Sequence, residues 1–122
     1  MGYAAGMATN EGKIGEVSAE EASSLIGGGA LLVDVREDGE WEAGHVAGAV
    51  HIPLGDLAER ADELPDDRQL VLVCRLGGRS ARATALLTSS GFDAVNLAGG
   101  MQAWAAAGLP FQASDGGAGV VA

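Results

Sequence analysis

This chain of 122 residues holds one cysteine, two histidines and five aromatic side chains. A single cysteine excludes a disulfide within the chain. One cysteine with two histidines leaves few nitrogen and sulfur ligands for a structural zinc site, so no metal is expected. Bases are also scarce: 7 Lys plus Arg stand against 17 Asp plus Glu, a net charge of −10. That balance argues against a general nucleic-acid binder, which needs a basic face. Uninterrupted apolar runs are only a few residues long, too short for a membrane-spanning helix. The opening MGYAAGMATNEGK lacks the charged and apolar regions of a signal peptide. A cytoplasmic, reducing compartment is therefore the default expectation. The length suits one domain, since two cores would leave roughly 60 residues each, which is marginal without staples.

What is present is mostly small. Hydrophobic content is 48%, but 23 of those residues are alanine, and there are 20 glycines besides. The core must rest on Leu, Val, Ile and a few aromatics, packed closely through small residues. The charge is unevenly spread. Residues 68–92 contain Arg68, Arg75, Arg79 and Arg82 and no acid, while Lys13, Arg36 and Arg60 face all 17 acids elsewhere. A basic segment in an acidic protein suggests a local anion site on a solubilising background. The only cysteine, Cys74, lies in that segment.

Residues 1–13 are Gly- and Ala-rich and aperiodic, and are expected to be a flexible lead-in to a domain over 14–111. Ser18 to Glu21 forms a capping box, predicting a helix to about Ile26 that Gly27-Gly28-Gly29 ends. Leu31 to Val35 reads as a buried strand, 38–43 as a helical turn, and Ala49 to Ile52 as a second strand ended by Pro53. Leu54, Leu57, Ala58, Ala61 and Leu64 are at helical spacing, closed by Pro65. Leu70 to Val73 is a strand that runs into Cys74. Ser80 to Ser90 predicts a helix with Gly91 as its stop, and Val95 to Leu97 a short strand. Met101, Trp104 and Ala105 mark a last helix, begun by Gly99-Gly100 and ended by Gly108 and Pro110. The composition of 112–122 predicts a flexible tail. Uncharged strands alternating with helices imply an α/β fold, a parallel sheet covered on both faces. Ligands of such sheets sit outside the carboxyl ends of the strands, where Cys74 falls.

The segment Cys74-Arg75-Leu76-Gly77-Gly78-Arg79-Ser80 joins a strand to a helix. Two adjacent glycines let the backbone curl and turn N–H groups inward. With the helix N-terminus behind it, such a nest is an anion-binding cup. A free thiol titrates at about 8.5, and helix N-termini and neighbouring cations lower that value. Such a cup is expected to activate the sulfur and to hold an anionic substrate against it. A lone cysteine at a strand end is often a small buried hydrophobe, but such a residue needs no acid-free, arginine-flanked loop.

The chain resembles the single-domain rhodaneses, the thiosulfate sulfurtransferase family. The first signature is Leu32-Val33-Asp34-Val35-Arg36-Glu37, followed by Glu40-Trp41, Gly44-His45-Val46, Gly48-Ala49 and Ile52-Pro53. The second is the C-x-x-G-x-R loop, Cys74 to Arg79. The third is Gly91-Phe92, Val95, Leu97, Gly99-Gly100-Met101, Trp104 and Gly108-Leu109-Pro110. The resemblance implies a three-layer fold with a five-stranded parallel sheet flanked by helices. It implies Cys74 as a persulfide-forming sulfur carrier, with no cofactor. Leu76 departs from many members, which place a small or hydroxylated residue there, and bears on the choice of sulfur donor. Loop length separates sulfur transfer from phosphatase chemistry. Cysteine phosphatases use C-x5-R, whereas position 80 here is Ser80, and Val73 rather than His precedes the cysteine.

These features predict Cys74 as the catalytic residue and Arg75, Leu76, Gly77, Gly78, Arg79 and Ser80 as the substrate-binding loop. The expected partners are a small anionic donor, thiosulfate or a persulfide, and a thiol or cyanide acceptor, with a protein donor or acceptor as a further option. A monomer is the simplest expectation. Arg79 has two possible roles, binding the donor or clamping the loop through a carboxylate such as Glu37. Asp34 with Arg36 reads as a structural ion pair, His45 as a turn histidine, and Trp41 and Trp104 as packing anchors; His51 is given no role. Three roles are open to Cys74: turnover enzyme, sulfur carrier for a partner protein, and redox sensor. The last is weakest, because no resolving cysteine exists in the chain.

Overall fold

A computed structural model describes residues 14–122; the lead-in expected over 1–13 lies outside the described residues. Five strands form one parallel sheet: β1 (Gly15–Val17), β2 (Leu31–Asp34), β3 (Val50–His51), β4 (Leu70–Val73) and β5 (Ala94–Leu97), in the order β1-β5-β4-β2-β3. The helices are α1 (Ala19–Gly27), α2 (Asp38–Ala43), α3 (Leu54–Arg60) with a 3-10 turn over Ala61–Glu63, α4 (Gly78–Ser89) and α5 (Gly100–Ala106). The expected three-layer α/β fold is the observed one. Among the described residues, no helix is long and apolar enough to cross a membrane.

Strand β4 is Leu-Val-Leu-Val, buried at every position. The pleat sends alternate side chains to opposite faces. Leu70 and Leu72 join Val33, Val35, Leu57, Ala83 and Leu87 under α3 and α4. Val71 and Val73 join Leu32, Ala19, Ala22, Met101 and Trp104 under α1 and α5. Continuous apolar residues are what a strand covered on both faces needs, and each buried Leu or Val contributes about 1.5–3 kcal/mol. Capping follows the sequence closely at α1, where the Ser18 hydroxyl accepts from the Glu21 N–H and the Glu21 carboxylate accepts from the Ser18 N–H.

Two features differ from expectation. The edge strand β1 was not legible as a strand, because three residues, of which only Val17 is half-buried, are too short for a periodic signal. It pairs with β5 through Gly15, Glu16 and Val17. The C-terminal segment is also not the loose tail its composition suggests. Gln112 and His45 exchange backbone hydrogen bonds, the Ser114 N–H donates to the Glu42 carbonyl, and the Val120 N–H donates to the Ala43 carbonyl. Gly44 admits this return: a Cβ there would lie 2.6 Å from the Val120 carbonyl oxygen and 2.9 Å from the Phe111 ring.

From β2 the chain moves outward to β3, and from β4 it moves the other way to β5. The order therefore reverses between β2 and β4, and the crevice at their carboxyl ends is where ligands of open α/β sheets bind. Cys74 follows β4 there. The loop it begins is fixed by α5. The Met101 N–H donates to the Cys74 carbonyl at 2.8 Å and the Gln102 N–H to the Arg75 carbonyl at 3.1 Å. Gly100 makes that approach possible. Its φ is +58°, and a Cβ would fall on the carbonyl oxygens of Cys74 and Arg75, 2.5 Å from the latter. Gly100→Ala should therefore lower stability by about 2–4 kcal/mol in a denaturant titration, while Gly27→Ala, with open space around it, stays within about 0.5 kcal/mol of wild type.

Candidate active site

With its carbonyls held by α5, the loop turns its amides toward the sulfur. Cys74 is buried, at 1% exposure. Its Sγ accepts from the Gly77 N–H at 3.1 Å and from the Ser80 hydroxyl at 3.2 Å. Burial pushes the thiol up. The Ser80 hydroxyl and the backbone amides of Ser80, Gly77 and Leu76 pull it down, and together they win, so the group titrates below an ordinary thiol. Gly77 closes the curl with φ +116°, as the N-cap of α4. The helix starts two residues earlier than its side-chain pattern predicts, because Gly78 and Arg79 carry no apolar periodicity.

The residues expected in the loop occupy different places. Ser80 is buried against the sulfur, while Gly77 and Gly78 line the turn. Arg75 and Leu76 are exposed at the rim, Leu76 at 57%. Arg79 is half-buried and committed to a carboxylate. Its Nη1 and Nη2 donate to both Glu40 oxygens at 2.7 and 2.9 Å. The clamp across to α2 is thus the geometry observed for Arg79, with Glu40 rather than Glu37 as the partner. This bidentate pair lowers the Glu40 carboxyl to about 2 against the opposing effect of burial, helped by the Glu37 N–H and the charges of Arg79 and Arg36.

The neighbouring elements are structural. Asp34 and Arg36 form a fully buried pair, with Arg36 Nη2 2.7 Å from Asp34 Oδ2 and also 2.7 Å from the Gly44 carbonyl. The pair holds the turn before β3 rather than the Cys74 loop. His51 Nε2 donates to the Arg36 carbonyl at 2.7 Å, and His45 Nδ1 donates to the Trp41 carbonyl at 2.8 Å. Both imidazoles stack on Trp41, with the ring centroid of His45 3.7 Å away and that of His51 4.7 Å away. Trp41 is accordingly a half-buried stacking platform, not a core anchor. Trp104 is in the core at 3% exposure, its Nε1 donating to the Pro110 carbonyl.

Sequence reasoning missed Glu40 as the partner of Arg79 and the backbone contacts of Met101 and Gln102 with the loop. It also passed over Asn96, a buried amide in an apolar strand. That polar interruption was the one available signal.

The Glu40–Arg79 pair makes a pH prediction. The Glu40 carboxyl is depressed in the folded chain, so its contribution is complete above the ordinary carboxylate range. It is lost as the pH falls from about 5 toward about 2. Glu40→Gln should cost about 1–2 kcal/mol at pH 7. The difference between variant and wild type should shrink across that acid window in denaturant titrations.

Residues 18–107 match the rhodanese-like domain family. A protein named sulfurtransferase from Allochromatium vinosum is 38% identical over 106 residues, which cover 84% of this chain and 99% of that one. Thiosulfate sulfurtransferase GlpE of Pseudomonas syringae is 37% identical over 86 residues, 70% of this chain and 81% of that one. Among solved structures, the rhodanese-related protein of Thermoplasma volcanium has a TM-score of 0.77 at 31% identity, covering 80% of this chain and 97% of that one. With its five-stranded parallel sheet and a cysteine loop after β4, the chain belongs to the rhodanese-like domain family.

Proposed function

We propose that this protein is a sulfurtransferase that carries sulfane sulfur as a persulfide on Cys74. The observation that carries this is the sulfur itself, buried yet met by the Gly77 N–H and the Ser80 hydroxyl at hydrogen-bond distance. Those donors favour an anionic sulfur, and a curled ring of amides suits the larger persulfide as well. With thiosulfate, the Cys74 thiolate attacks the outer sulfur. A new S–S bond forms, the bond from that sulfur to the sulfonate breaks, and sulfite leaves with the electron pair. An acceptor such as cyanide or a thiolate then attacks the outer sulfur of the persulfide. Cys74 leaves as the thiolate, and thiocyanate or a new persulfide is released. The two half-reactions are separate, so ping-pong kinetics are expected.

Arg75 is the side chain assigned here to the donor's sulfonate. It is exposed at the rim and takes no part in the ion pairs of the described residues, whereas Arg79 is held by Glu40. A second role, sulfur carrier for a partner protein, is favoured by the exposed Leu76. An apolar side chain beside the nucleophile suits a macromolecular surface better than a small anion.

Intact mass decides the matter. Incubation with thiosulfate should add one sulfur to the wild type and none to Cys74→Ser, and cyanide should remove it with release of thiocyanate. Persulfide formation with negligible steady-state turnover would indicate the carrier role; no added sulfur from thiosulfate, mercaptopyruvate or a low-molecular-weight persulfide would overturn both. Arg75→Ala should raise the KM for thiosulfate about tenfold, the loss of one charged hydrogen bond, with the melting temperature unchanged.

A further inference from the structure

Asn96 on β5 is 1% exposed, and its side chain reaches the loop. Its Nδ2 donates to the Gly77 carbonyl at 3.2 Å and to Glu16 Oε2 at 3.0 Å. Its Oδ1 is buried with no hydrogen-bond partner among the described residues. The neighbours fix which way the amide points, since a flipped amide would set its oxygen against a carbonyl and a carboxylate. The pairing of β1 with β5 supplies the second contact, because Glu16 and Asn96 are partners in register. Parallel neighbours in register project to the same face of a sheet.

Satisfying a stranded carbonyl does not explain the amide. The Gly77 carbonyl already accepts the Ala81 N–H at 3.0 Å. Nor is the amide a favourable way to fill the space, because its orphaned oxygen carries a desolvation cost that an apolar side chain would avoid. What the amide does is hold one residue, Gly77, and that residue donates its N–H to the Cys74 sulfur. The N–H and the carbonyl of Gly77 lie on peptide planes that share its Cα. A glycine has the widest rotational freedom about that atom, so a restraint on the carbonyl limits where the N–H can point.

We infer that Asn96, oriented by Glu16, is a positioning residue that keeps the Gly77 N–H on the Cys74 sulfur. The edge strand β1 is then part of the site's support although it touches no reacting atom. The inference rests on Cys74 as the nucleophile, but its test requires no sulfur donor, so failure of sulfur transfer and failure of this inference are separate results. The other groups facing the sulfur are the Ser80 hydroxyl, the amides of Leu76 and Ser80, and the charge of Arg79. The substitutions at Asn96 and Glu16 leave these residues in place.

The experiment is the pH dependence of Cys74 alkylation by iodoacetamide, read by intact mass on the full chain, with a thermal melt of each variant. Ser80→Ala is the reference for losing one direct donor and should raise the midpoint. Asn96→Leu should raise it by about half a pH unit, which is about threefold less thiolate at any pH below the midpoint. Glu16→Ala should give a smaller rise in the same direction. An Asn96→Leu protein that melts earlier but keeps the wild-type midpoint would reduce Asn96 to a packing residue and overturn the inference. If Asn96→Leu does not fold, the exposed Glu16→Ala variant decides: a raised midpoint supports the inference and an unchanged one overturns it.

Discussion

Two backbone hydrogen bonds hold the site together, from the N–H groups of Met101 and Gln102 to the carbonyls of Cys74 and Arg75. A loop can curl its amides inward only if its carbonyls find partners outside, because buried backbone groups left unpaired are costly. The start of α5 supplies those partners. Gly100 lets it approach, and Met101 anchors it in the core at 0% exposure. The electrostatics of Cys74 thus depend on how a helix remote in sequence packs against the sheet.

The charged residues divide the same labour. Of the arginines in the acid-free stretch, Arg79 is spent on Glu40 and joins α4 to α2. Arg75 stays at the rim. The sulfur's nearest donors are neutral, a hydroxyl and an amide. Short dipoles fixed by the fold stabilise a buried anion without a bound cation having to move away when substrate arrives. The sulfur is thus polarised by fixed neutral groups, while Arg75 stands exposed outside the ion pairs of the described residues.

How much was legible depended on the range of the interactions. Strand β4, the α1 capping box and α2 follow from local pattern, and the structure places them at the expected residues. Cys74, Gly77 and Ser80 were legible as a unit because they lie on one short loop. Glu40 was hidden because it is 39 positions from Arg79, and Glu37, equally acidic and nearby, looked as suitable. The ordering of 112–122 was hidden too. A Gly- and Ala-rich segment has no pattern of its own, and its bonds to the turn at 42–45 depend on Gly44 leaving room.

By itself, the sequence determined the class of fold, the position of the single thiol at a strand end, and the glycine-curled loop that surrounds it. These follow from periodicity, from glycine's conformational range and from the charge of neighbouring residues, all of which act over a few positions. The tertiary structure alone decided that Glu40 takes Arg79, and that β1, β5 and α5 support the loop. Those outcomes turn on ångström-scale distances between segments far apart in the chain, and only packing sets such distances.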